Sequence, residues 1–126
     1  MPIVHDLSQV AVRRMIRAEL AKLDRPPESP IGEFPFGECT GGIGAFVGRP
    51  PWERHNGGDE LLLVLSGSTR LTVLEDSGRL SQTIEAGGLV VVPQGRWHNN
   101  DAPDGVTMLH VTPTEGNEHS WEDPAP

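Results

Sequence analysis

Cysteine occurs once in this chain, at Cys39, and a lone cysteine closes no intrachain disulfide, so nothing calls for an oxidising compartment. Positive charge is also scarce. Ten Lys and Arg stand against 18 Asp and Glu, a formal net charge of −8 with a pI near 5.0. That balance excludes the basic surface a nucleic-acid backbone requires. No apolar run approaches the ~20 residues that cross a bilayer, and the first residues lack the apolar core and small-residue cleavage site of a signal peptide. A soluble cytoplasmic protein with no membrane partner is expected. The chain has no G-x-S-x-G elbow, P-loop, post-strand G-x-G-x-x-G or C-x-x-C, which leaves hydrolase, nucleotide-binding and zinc-ribbon readings without their motifs.

What the chain does have is punctuation. Its 126 residues suffice for one domain, and 15 Gly and 12 Pro fall between short apolar runs, the pattern of many short strands joined by turns. One helix is predicted over residues 7–23, with Val12, Ile16, Leu20 and Leu23 at helical spacing and Asp6 or Ser8 as cap. Pro26-Pro27 stops it. Arg13, Arg14 and Arg17 share the polar faces with Glu19 and Lys22, so the helix reads as one packed on the body or across a dimer rather than on a membrane. Residues 28–44 read as irregular chain with one short edge strand, Gly41-Gly42-Ile43-Gly44 as a flexible turn, and Cys39 as a small half-buried residue.

From there the strands come regularly. Ala45–Val47 begins the sheet, and Leu61–Leu65 is a buried run that turns at Ser66-Gly67-Ser68. Residues 69–75 and 80–85 form a hairpin closed by Asp76-Ser77-Gly78. Leu89–Val92 is a second buried run, and residues 106–112 follow a polar loop over 99–105. At least six short strands at this spacing predict an all-β sandwich or closed barrel. Residues 113–126, rich in Glu and Pro, read as an acidic flexible tail in which Trp121 either docks or stays loose; His5 and His119 are given no role.

Two stretches gather metal-type ligands at strand ends. Glu53-Arg54-His55, the Gly57-Gly58 bend and Asp59-Glu60 precede the first buried run, while Pro93-Gln94-Gly95-Arg96-Trp97-His98 follows the second. His55, Glu60 and His98 together supply two imidazoles and one carboxylate, the composition of a facial triad for non-haem iron, and zinc, manganese, nickel or copper would also accept it. The bend allows His55 and Glu60 to face inward despite their different parity. With Glu60 inward, Leu62 and Val64 share its face and Leu61, Leu63 and Leu65 face out, where the helix or a second subunit would cover them. Neutral imidazoles are needed to bind, so metal loss is expected on acidification through about pH 6.5. The inward or outward direction of His110 is left open.

These residues resemble the two motifs of a small single-domain cupin. In the first, G(X)5HXH(X)3-4E(X)6G, Glu60 is followed by six residues and Gly67, and His55 takes the second histidine position. The second, G(X)5PXG(X)2H(X)3N, is met by Gly87, Pro93, Gly95 and His98. Glu53 stands at the first histidine position and Ala102 at the final asparagine. The resemblance implies a jelly-roll β-barrel over residues 32–112 behind an N-terminal segment, 1–31, that carries the helix. It also implies one divalent transition metal (Fe, Mn, Ni, Cu or Zn) held by His55, Glu60 and His98, and a homodimer, as in compact members. Glu53 is either a fourth ligand or a salt-bridge partner of Arg54, Arg49 or Arg96.

Two functional classes follow. One is a metal-dependent oxidoreductase, isomerase or lyase acting on a small polar organic molecule in the barrel, with Arg96 or Arg49 clamping a carboxylate and Trp97 or Trp52 walling the pocket. The other is a non-catalytic ligand-binding or sensing module with a structural metal or none.

Overall fold

The computed structural model describes residues 34–124; the helix predicted over 7–23 lies outside them. Every regular element among the described residues is a strand: β1 (Phe34–Phe36), β2 (Cys39–Gly48), β3 (Trp52–His55), β4 (Glu60–Glu75), β5 (Gly78–Glu85), β6 (Leu89–Val92), β7 (His98–Pro113) and β8 (Asn117–Ser120). The strands pair in the order β1-β2-β7-β3-β8, and β4 pairs with β5, β6 and β7. All pairings are antiparallel. The sheet curls on itself into a barrel.

The alternation along β4 sets the inside. Glu60, Leu62 and Val64 are buried while Leu61, Leu63 and Leu65 are only half-buried, as the period of a strand requires. Leu62 and Val64 join Phe46, Leu71, Ile84, Val92, Ala102, Val106 and Met108 in one apolar cluster, whose removal from water drives the closure. The strongest framework is the β4–β7 ladder, which runs from Leu61↔Val111 to Val73↔His98 with register shifts at Val64/Ser66 and Gly67/Arg70. Such bulges bend both strands. The first half of β4 therefore pairs with β6 and the second half with β5. At the bend Gly67, with φ 74°, lies against Gly105, so closely that a Cβ at Gly67 would overlap the Gly105 carbonyl oxygen.

Four local expectations differ from this structure. The turn at residues 66–68 and the loop over 99–105 are bends inside β4 and β7, because the ladder between those strands continues across them. The segment around Gly41-Gly42-Ile43-Gly44 is the middle of β2, paired with β7 along most of its length. Its glycines read locally as a turn, yet Gly41 is where the far edge of the Phe34 ring occupies the space a side chain would fill. Finally, residues 117–120 of the expected flexible tail form β8 on β3, while Trp121 keeps 47% of its surface exposed.

Candidate metal centre

Strand ends and turns build the site. Glu53 and His55 lie on β3, Glu60 is the first residue of β4, and His98 is the first residue of β7, directly opposite Glu53 in the register. The two turns that deliver them are tied together. Gly95 N–H donates to the His55 carbonyl at 2.8 Å, Gln94 N–H to Asp59 Oδ1 at 2.8 Å, and the Gln94 side-chain amide to the Asn56 carbonyl at 2.7 Å. The Pro-Gln-Gly turn thus fixes the bend between His55 and Glu60.

The structure brings all four residues to one point, with one ligand atom from each lying within 4.8 Å of the others. His98 Nε2 is 3.1 Å from Glu60 Oε1 and 3.2 Å from Glu53 Oε1. His55 Nε2 is 3.2 Å from Glu60 Oε2 and 3.6 Å from Glu53 Oε1. The side chains of His55, Glu60 and His98 are 3%, 3% and 0% exposed, and Glu53, at 16%, is the most exposed of the four. The Arg partners weighed for Glu53 are not its contacts; the imidazoles are.

Each imidazole is held from behind through its other nitrogen. His98 Nδ1–H donates to the Arg96 carbonyl at 3.2 Å. His55 Nδ1–H donates to Asn117 Oδ1 at 2.8 Å. Both Nε2 atoms are thereby aimed at the carboxylates, the arrangement that orients metal-ligating histidines. Glu60 Oε2 accepts from Thr112 Oγ1 at 2.6 Å, and Thr112 accepts in turn from His110 Nδ1 at 2.8 Å. Residues two apart on a strand share a face, so His110 points the same way as Thr112, toward the barrel interior.

The charges hold one another. Burial lowers the His55 pKa, but hydrogen bonds and charge from Glu53 and Glu60 outweigh it and raise it to about 10; the same balance raises His98 to about 9. Burial pushes Glu53 up, yet contacts to His119, His55 and His98 hold it well below the usual carboxylate range. Glu60 is pushed up by burial and by the Glu53 charge and pulled down further by His55 and His98. Without an ion the cluster is two imidazoliums against two carboxylates.

A divalent cation fits this donor set. Two carboxylates cancel its charge, and two imidazoles suit any of the late first-row metals. His55 Nε2 faces Glu60 Oε2 at 3.2 Å and Glu53 Oε1 at 3.6 Å without a well-aligned hydrogen bond to either, and an ion shared among the four residues would use its lone pair.

The four residues considered for substrate make contacts of their own. Arg96 pairs with Asp76 at 2.8 and 3.3 Å and reaches Glu75 at 3.5 Å, and Arg49 pairs with Asp101 at 3.2 Å. Both guanidiniums are engaged at the surface. Trp97 carries the Arg54 guanidinium 4.7 Å above its ring, and Trp52 carries that of Arg79 at 5.4 Å. Sequence reasoning missed Thr112, Asn117 and His119, whose Nε2 is 3.5 Å from Glu53 Oε2. Only the i, i+2 spacing of His110 and Thr112 offered a signal, because a strand in the tail was not expected.

Residues 47–112 match the family model described as the cupin domain. No curated protein matches the chain. Among solved structures it is similar to a cupin-2 domain-containing protein from Shewanella frigidimarina, with 21% identity, a TM-score of 0.55, and coverage of 64% of this chain and 74% of that one. Protein NMB1881 from Neisseria meningitidis is 18% identical with a TM-score of 0.63, over 89% of this chain and 100% of that one. Oxalate decarboxylase from Bacillus subtilis, a protein with Mn(II) centres, is 16% identical with a TM-score of 0.58, over 65% of this chain but 24% of its own. At these identities the likeness is one of fold. With its family model matched over half its length and its strands closed into the corresponding barrel, this chain belongs to the cupin family.

Proposed function

We propose that this cupin binds one divalent transition metal through Glu53, His55, Glu60 and His98 and acts as an enzyme on a small polar organic molecule admitted from the Glu53 side. The observation that carries this reading is the convergence of one donor atom from each of Glu53, His55, Glu60 and His98 within 4.8 Å, in a cluster whose imidazoles are both held by Nδ1 from outside. A bound metal would supply Lewis acidity toward a ligand oxygen or, where redox-active, a place for dioxygen. The chain's own part is to exclude water from three of the four ligands and to hold Glu60 through Thr112.

The charge of the set bears on the substrate. Two carboxylates neutralise a divalent ion, and Arg96 and Arg49 are engaged in surface ion pairs, so a neutral or singly charged molecule suits the site better than a dianion. The oxalate chemistry of the Bacillus subtilis protein is not carried over.

A second reading rests on the same cluster. Two imidazoliums and two carboxylates already balance each other, which favours a metal-free barrel that binds or senses a ligand. Relaxation of water protons on titration with Mn(II) separates the two. An enhancement at one saturable site per chain, lost in His98→Ala, supports an open metal position and the enzyme. Binding without enhancement, or no binding, favours the second reading.

A further inference from the structure

We propose that β8 is part of the metal site and that Asn117 is a positioning residue, fixing His55 with Nε2 turned inward. This rests on the metal-binding reading above. The register of β8 on β3 puts Asn117 opposite His55 and His119 opposite Glu53, while Glu118 falls opposite Arg54. Alternation sends Asn117 and His119 to the site face and Glu118 to the outside, where it pairs with Arg54 at 2.8 and 2.6 Å.

The amide of Asn117 has one way round. Its Nδ2 donates to the Pro113 carbonyl at 2.8 Å, which leaves Oδ1 to accept from His55 Nδ1–H at 2.8 Å. An acceptor there requires the proton on Nδ1 and so leaves the Nε2 lone pair for an ion once the ring is neutral. Residues 113–116 also lie flush on the bend between His55 and Glu60. A Cβ at Gly57 would sit 2.5 Å from the Glu115 carbonyl oxygen, and one at Gly116, with φ 82°, would sit 3.1 Å from Gly57 N. Asn56 N–H donates to the Gly116 carbonyl at 3.0 Å. Without β8, the four residues of β3 would keep only the single register pair Glu53↔His98 with β7, and the His55 ring would lose the acceptor on its Nδ1.

The test compares Zn(II) affinity, by chelator competition, in the full-length wild type, Asn117→Ala, Asn117→Asp and Glu118→Ala, with 15N NMR of the zinc-loaded imidazoles. Removing a hydrogen-bond partner of this kind weakens metal binding by about 10–100-fold. Asn117→Ala is expected to lose that much and to lose the single Nε2-bound, Nδ1-protonated signature of His55. Asn117→Asp keeps the acceptor for His55 while losing the donor to Pro113, and is expected to retain the His55 signature and more of the affinity than Asn117→Ala. Glu118→Ala removes the outward contacts to Arg54 and Asn56 while keeping the β3–β8 pairing and is expected to leave affinity unchanged, whereas a role of the strand's side chains in fold stability alone would lower it as much as Asn117→Ala. Equal affinity and an unchanged His55 signature in Asn117→Ala overturn the proposal while the metal reading stands. No zinc binding by the wild type overturns the metal reading and this proposal with it, a result recognisable before any variant is made.

Discussion

Glu53, 3.2 Å from His98 Nε2 and 3.5 Å from His119 Nε2, brings a second carboxylate to a position where the cupin motif has a histidine, and this changes what protons do at the site. With His55 raised to about 10 and His98 to about 9, both rings are protonated at neutral pH in the metal-free protein. Their pairing with the carboxylates stabilises the fold fully below the ordinary imidazole value of 6.5 and is lost as pH rises through about 9 to 10. The lowered Glu53 and Glu60 contribute above the ordinary carboxylate value, a contribution lost as pH falls through their folded values. Metal-free stability is therefore expected to fall progressively as pH rises from about 6.5 and to level off above about pH 9 to 10, which urea melts over that range would reveal. Proton competition also reaches far above the pH 6.5 expected from unperturbed histidines. Metal binding near pH 7.5 should release about two protons, measurable by calorimetry in buffers of different ionisation enthalpy; release of none would show that the rings are already neutral.

At the scale of the elements, the bend in β4 and β7 is the most exposed to a single substitution. Gly67→Ala forces a side chain onto the Gly105 carbonyl at a positive φ, and a loss of about 2 kcal/mol or more is expected in urea unfolding; a loss below about 0.5 kcal/mol would mean the corner relaxes freely. The same bend shows what was legible in the sequence. The spacing of Gly87, Pro93, Gly95 and His98 identified the barrel and one member of the His/Glu cluster, and the face shared by Glu60, Leu62 and Val64 followed from strand period alone. Long strands with internal bulges were not legible, because Ser66-Gly67-Ser68 is locally indistinguishable from a turn. The polar composition of residues 117–120 likewise concealed β8, whose inward side chains bond to His55 and Glu53 rather than to an apolar core.

At the scale of the whole molecule, the described residues leave an apolar surface on β4 and β6. Leu61 and Leu63 of β4 lie opposite Val91 and Leu89 of β6 and, on their other side, opposite Val111 and Leu109 of β7. Among the described residues Leu89 and Val91 stay 57% and 50% exposed. Contiguous apolar patches of this kind are usually covered, and a second copy of the chain is the expected cover, with residues 7–23 as the competing one. Light scattering of the full chain should give a dimer that Leu89→Glu converts to monomer; a monomeric wild type would assign the face to the chain's own N-terminal segment. For the site, the most direct test is elemental analysis of untagged protein purified without chelator, beside His98→Ala. The expected result is about one equivalent of a divalent transition metal per chain, absent in the variant, whose β circular dichroism stays nearly intact. Equal metal in both samples, or none in either after reconstitution, would contradict the four-residue metal centre.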